Sequence, residues 1–169
     1  MVETPSGPLT IILWDIYGDD DFQSVRPSFL RGSAGYFLVA DGTRRVTLDR
    51  IPALHKVATD SIGKAPFIIL LNKSDLQSEW EIGELEEKSL AELGPVIRTS
   101  AKTGEGVEAA FAQVGDELAV IGGFDRRPTA FVYRIGKNHS SPALLNFFAT
   151  EQGNVSFEII QLAHFPVFV

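Results

Sequence analysis

The sequence predicts an α/β protein, a three-layer, open, mainly parallel sheet flanked by helices. Short apolar runs alternate with amphipathic stretches of helical length over residues 9–121. Runs such as "FIILL" (67–71) lack polar alternation, as strands buried on both faces require. The segment 106–121 repeats Val107, Ala110, Phe111, Val114, Leu118 and Ile121 at spacings of three and four, which gives a helix one packed face.

The elements follow in order. "LTIILWD" (9–15) reads as the first strand and "FQSVRPSFLRG" (22–32) as an amphipathic stretch. "GYFLVAD" (35–41) is the next strand, followed by a helix near 46–60. "PFIILLN" (66–72) is a buried strand, and an acidic helical segment follows at 78–93. That segment sets Trp80, Leu85 and Leu93 against Glu79, Glu81, Glu84, Glu86, Glu87 and Glu92, the composition of a solvated face. "PVIRTS" (95–100) is a strand, and the helix at 106–121 closes the series.

Composition shifts at "GGFDRRP" (122–128), where paired glycines and a proline mark a break. The chain is therefore expected to divide into a domain at 1–122 and an apolar, β-rich C-terminal extension at 123–169. The extension holds "TAFVYRI" (129–135) and "VSFEIIQL" (155–162), too apolar to remain a solvated linker.

The formal net charge of −7 offers no electrostatic footprint for nucleic acid or an anionic membrane. With no cysteine, the chain has no disulfide framework, thiolate zinc site, thiol nucleophile or C-terminal prenylation box, so no lipid anchor of that kind. No apolar run reaches the roughly 20 residues that span a bilayer. The expected location is cytoplasmic. His55, His139 and His164 lie far apart, without metal-ligand spacing.

Ligands of open parallel sheets bind at the carboxyl ends of the strands, so the residues that follow each strand carry the chemistry. Three loops are polar there: Asp15-Ile16-Tyr17-Gly18, Asn72-Lys73-Ser74-Asp75 and Thr99-Ser100-Ala101-Lys102. Each alone fits ordinary turn and cap chemistry. In this order and spacing they resemble the later half of a Ras-like or Rab-like small GTPase, with Asp-x-x-Gly, then Asn-Lys-x-Asp, then Ser-Ala-Lys. The resemblance covers about residues 9–120, including "FQSVRPSFLRGSAGYFLVADGT", which is similar to that family's switch II helix and following strand.

The resemblance implies a guanine pocket. Asp75 would accept two hydrogen bonds from the ring N–H and exocyclic amine of guanine, a match adenine cannot offer, worth ~1–3 kcal/mol of discrimination. Asn72 would contact N7 and brace neighbouring loops. The stem of Lys73 would cover one ring face and Lys102 the other, and Ala101, next to Ser100, would offer its N–H to O6. Asp15 would hold Mg²⁺ through water and the Gly18 N–H would meet the γ-phosphate of GTP. The implied cofactors are GTP or GDP with Mg²⁺, and the implied partners are effectors or regulators at the switch II region. The implied reaction is phosphoryl transfer to water, driving a molecular switch.

The sequence departs from the family's pattern in two ways. The Gly-x-x-x-x-Gly-Lys-Ser/Thr loop and the first switch are absent. Gly63-Lys64 is followed by Ala65 and Gly136-Lys137 by Asn138, so neither restores that loop. Losing four phosphate contacts costs ~6 kcal/mol, which predicts weak GTP binding by this chain alone. Asp19 stands where the family has a water-positioning Gln, and with Asp20 and Asp21 it would repel a γ-phosphate. These departures support a rival reading, a non-catalytic pseudo-GTPase or protein-interaction module. Gly104-Glu105-Gly106-Val107-Glu108-Ala109 also satisfies a dinucleotide pattern, but follows directly on Ser-Ala-Lys.

A missing phosphate-loop strand leaves a gap between residues 9–15 and 35–41, with unpaired backbone groups on both sides. Either an N-terminal part is lost, or "TAFVYRI" or "VSFEIIQL" pairs with an exposed strand edge; the alternative for the tail is that it begins a second domain.

Overall fold

The structure, a computed structural model, describes residues 2–4, 7–9, 11–18, 30, 33–121 and 129–135. Two short strands, β1 (Val2–Thr4) and β2 (Gly7–Leu9), pair antiparallel. The main sheet holds β3 (Ile12–Gly18), β4 (Gly35–Asp41), β5 (Phe67–Asn72), β6 (Val96–Thr99) and β7 (Thr129–Ile135) in the order β3-β7-β4-β5-β6. Every pair in it is parallel.

β7 occupies the place between β3 and β4. It pairs with β3 from Ile12↔Thr129 to Gly18↔Ile135, and with β4 from Gly35↔Ala130 to Val39↔Arg134. A strand from the C-terminal extension therefore supplies backbone partners to both neighbours. This pairing also changes the reading of Asp15-Ile16-Tyr17-Gly18, which belongs to β3 and is not a loop beyond it. "VSFEIIQL" lies outside the described residues.

Helices cover both faces. α1 (Ile51–Ile62) carries Pro52 in its first turn and follows a 3₁₀ turn at Arg45–Arg50. The expected helix at 46–60 is thus tighter at its start, where the Thr47 hydroxyl donates toward the carbonyls of Asp41 and Arg44. α2 (Glu84–Leu93) begins later than the expected 78–93. Trp80 is extended, its indole lies against Gly42, and the Glu81 N–H donates to the Gly42 carbonyl at 2.9 Å, which holds this stretch out of the helix. α3 (Val107–Ile121) matches the expected closing helix.

The core forms two clusters separated by the sheet. Tyr36, Leu38, Ala40, Ile69 and Leu71 meet Ile51, Leu54 and Ala58 of α1 and Leu90 of α2. On the opposite face Phe37, Val39, Ile68 and Leu70 meet Ala110, Val114 and Leu118 of α3, together with Ile11 and Leu13. Successive residues of β4 and β5 thus serve opposite layers, so both strands read as continuous apolar runs. Each fully buried Leu or Ile contributes about 1.5–3 kcal/mol of transfer free energy. The acidic face of α2 carries surface ion pairs, Glu86 with Arg45 and Glu87 with Arg98, which are worth ~0–1 kcal/mol each.

The strand registers align Asp41, Asn72 and Thr99 in one row at the carboxyl edge of the sheet. Apolar residues end at that row on β4 and β5, and polar loops leave from it.

Candidate functional site

The loop after β5 begins with Asn72, whose side-chain oxygen accepts the Ala101 N–H at 2.9 Å. This bond ties the loop after β5 to the loop after β6. The Ser74 N–H donates to the Thr99 carbonyl at 2.9 Å and strengthens the same junction. Lys73 lies between these anchors with φ at 74°, in the left-handed region that non-glycine residues rarely occupy. The loop is held in this conformation by its neighbours on both sides.

Asp75 is the carboxylate at the centre of the arrangement. Its side chain is 14% exposed. The Ser100 hydroxyl, fully buried, donates to Asp75 Oδ1 at 2.6 Å and accepts the Thr103 N–H at 3.1 Å. The Lys102 ammonium stands 3.9 Å from Asp75 Oδ2, on a side chain that is itself mostly exposed. One oxygen is therefore fixed, while the other faces only a loosely held cation. That oxygen has lone pairs to offer an N–H donor from a ligand.

The Ala101 N–H, expected to face a base oxygen, donates to the Asn72 side chain. Contact with a base oxygen there requires that hydrogen bond to be shared. Past Lys102 the chain turns through Gly104 and Gly106, both at positive φ, and a side chain at Gly106 would collide with the Arg98 carbonyl. The dinucleotide-like pattern thus spans the turn that closes the loop after β6 and the first residues of α3.

A residue absent from the sequence-derived set completes the cluster. Asp41, at the end of β4, receives the Lys73 ammonium on Oδ2 at 2.7 Å. Its Oδ1 accepts from the Thr43 N–H at 3.0 Å and the Thr43 hydroxyl at 2.7 Å. Burial alone would raise the Asp41 carboxyl, but the bonds from Lys73 and Thr43, with the lysine's charge, outweigh it and hold it below the ordinary carboxylate value. The available signal was a polar residue ending the apolar run "GYFLVAD", the same pattern that marks Asn72.

Asn72, Lys73, Asp75, Ser100, Ala101 and Lys102 are thus brought together. Asp15 and Gly18 lie on β3, across β7 and β4 from that cluster, and Asp19 lies outside the described residues. Among the described residues no group of three His, Cys, Asp or Glu side chains is placed to hold a metal. Asp15, the residue the sequence reading assigns to Mg²⁺, lies on β3. The pocket's donor set suits an organic base with N–H donors: a partly buried carboxylate, flanked by amide and hydroxyl groups and two lysine stems.

In a comparison with protein families, the model described as the Ras family matches residues 1–119. The matched span holds α1, α2, all but the last two residues of α3, the strands β1 to β6, and every residue of the cluster around Asp75.

Proposed function

The chain belongs to the Ras family, and we propose that it is a guanine-nucleotide-binding protein whose base pocket is built on Asn72, Lys73, Asp75, Ser100, Ala101 and Lys102. The observation that carries this reading is the half-committed carboxylate of Asp75, held by Ser100 through Oδ1 and open to a ligand through Oδ2. Guanine offers a ring N–H beside an exocyclic amine, and a carboxylate accepts both. Adenine presents a lone pair in place of that ring N–H, so the same carboxylate disfavours it.

The remaining residues orient the base. The stems of Lys73 and Lys102 lie over its two faces, and Asn72 fixes the spacing between the two loops that form the walls. Water exclusion from this cleft strengthens each bond to Asp75. In the reading extended to GTP, Asp15 would be the residue that holds Mg²⁺ and Gly18 the one that meets the γ-phosphate, and nucleotide state would set the conformation that a protein partner recognises. Mg²⁺ when bound supplies charge neutralisation at the phosphates.

Calorimetric titration of GDP and ADP into the full chain tests the reading. Heat of binding with GDP that is absent with ADP supports it. Equal binding of the two, or binding of neither, supports the interaction-module reading instead.

A further inference from the structure

Asp41 and Lys73 come from different strands and meet at 2.7 Å, the distance of a direct charge-assisted hydrogen bond. Register explains the meeting: Asp41 lies opposite Asn72, which places the next residue of the β5 loop within reach. The Asp41 side chain is 12% exposed and that of Lys73 31%, so this pair is more shielded than the surface pairs on α2.

We propose that Asp41 is a positioning residue of the nucleotide pocket, whose carboxylate fixes the Lys73 ammonium and thereby sets the lysine stem against the bound base. This rests on the nucleotide-binding reading above. The carboxylate divides its work between its oxygens. Oδ1 accepts both Thr43 donors and orders its own turn, while Oδ2 is committed to Lys73. The turn is held independently, through the Gly42 N–H to the Asn72 carbonyl and the Thr47 hydroxyl to the Asp41 carbonyl. The turn therefore does not need Oδ2, which is free to act on the lysine.

Lys73 needs such an anchor. Its backbone sits at a positive φ, and its side chain has four rotatable bonds whose freedom must be lost before it can cover a planar ligand. An ammonium tied down before binding lowers that cost. The pair also keeps the ammonium from reaching the Asp75 carboxylate, which leaves that group available to the base.

Asp41→Asn separates the two oxygens' roles. With its amide oxygen toward Thr43, the Asn keeps that turn and presents an NH₂ to the Lys73 ammonium, donor against donor. The test measures three quantities on the full chain: thermal unfolding, labelling of the Lys73 amine by an acylating reagent in nucleotide-free protein, and GDP affinity by titration. Expected are a folded variant, faster labelling of Lys73, and GDP affinity weakened about tenfold. In a Lys73→Met background Asp41→Asn should change affinity no further, and Asp41→Glu should restore protection of Lys73. Unchanged Lys73 labelling, or an undiminished effect of Asp41→Asn on affinity without the lysine, overturns the proposal. If wild-type protein binds no GDP, the nucleotide reading fails, and the labelling result still decides whether Asp41 fixes Lys73. If Asp41→Asn does not fold, ¹³C NMR titration of the Asp41 carboxyl in wild type and Lys73→Met replaces it. An upward shift on losing the ammonium supports the pair, and an unchanged titration overturns it.

Discussion

The buried hydroxyl of Ser100 donates to Asp75 Oδ1 at 2.6 Å, joining the loop after β6 to the loop after β5. Through this bond a serine that touches no solvent orients the carboxylate on which the proposed pocket depends.

Ser100→Ala removes that donor and leaves the Thr103 N–H without its acceptor. The expected cost is about 1–3 kcal/mol of stability. GDP affinity should also fall by about tenfold, because the Asp75 carboxylate gains rotational freedom. Denaturant unfolding and GDP titration measure the two effects separately.

The phosphates should add little to binding by this 169-residue chain. The sequence lacks a Gly-x-x-x-x-Gly-Lys-Ser/Thr loop, so few phosphate contacts are expected. Guanosine, GDP and GTP are expected to bind within about tenfold of one another. β7 ends at the same sheet edge as β3. GTP binding tighter than guanosine by about a thousandfold would contradict this expectation.

Gly42→Ala should destabilise the protein. Its added methyl would enter the Trp80 ring, which packs against Gly42 with the Arg98 guanidinium 5.1 Å from the ring centre. The indole N–H has no hydrogen-bond partner among the described residues, so packing is what fixes the ring. Displacing it also strains the Glu81 N–H bond to the Gly42 carbonyl. A loss of about 1–3 kcal/mol is expected in thermal or denaturant unfolding.

His55 gives stability a pH dependence. Its Nδ1 lies 2.9 Å from the Tyr36 hydroxyl and its ring packs on Phe67, and burial holds its pKa below the ordinary 6.5. The unfolded chain therefore binds a proton at His55 before the folded one does, so stability falls as pH drops below 6.5. The informative quantity is the difference between wild type and His55→Phe. The variant should lose less stability between about pH 7.5 and about pH 5.

The sequence made the strands and the polar loops at their ends legible because both are local. "FIILL" needs burial on two faces, and a polar residue that ends such a run must lie at an edge of the sheet. That Asp75 and Ser100 share a site was an implication of family resemblance, and the bond between them emerged only from the structure, since no local rule joins residues 25 apart. What the sequence hid depends on register and long-range packing. Asp41 reads only as the polar end of a strand until β4 and β5 are aligned and bring Lys73 to it. The start of α2 was misplaced because Trp80 is held by Gly42, a contact between distant segments that outweighs the local helical pattern. Asp15 to Gly18 read as a loop because the partner that makes them a strand is β7, far along the chain.

Base recognition by Asp75 is the central claim, and exchanging its chemistry tests it most directly. Asp75→Asn keeps the shape of the side chain but can present one donor and one acceptor. That pattern matches xanthine, which carries an oxygen where guanine has its exocyclic amine. Titration of guanosine and xanthosine diphosphates into wild type and Asp75→Asn should show preference for guanine in the first and for xanthine in the second, each by about tenfold or more. Affinities for both bases that are unchanged by the substitution would contradict the account.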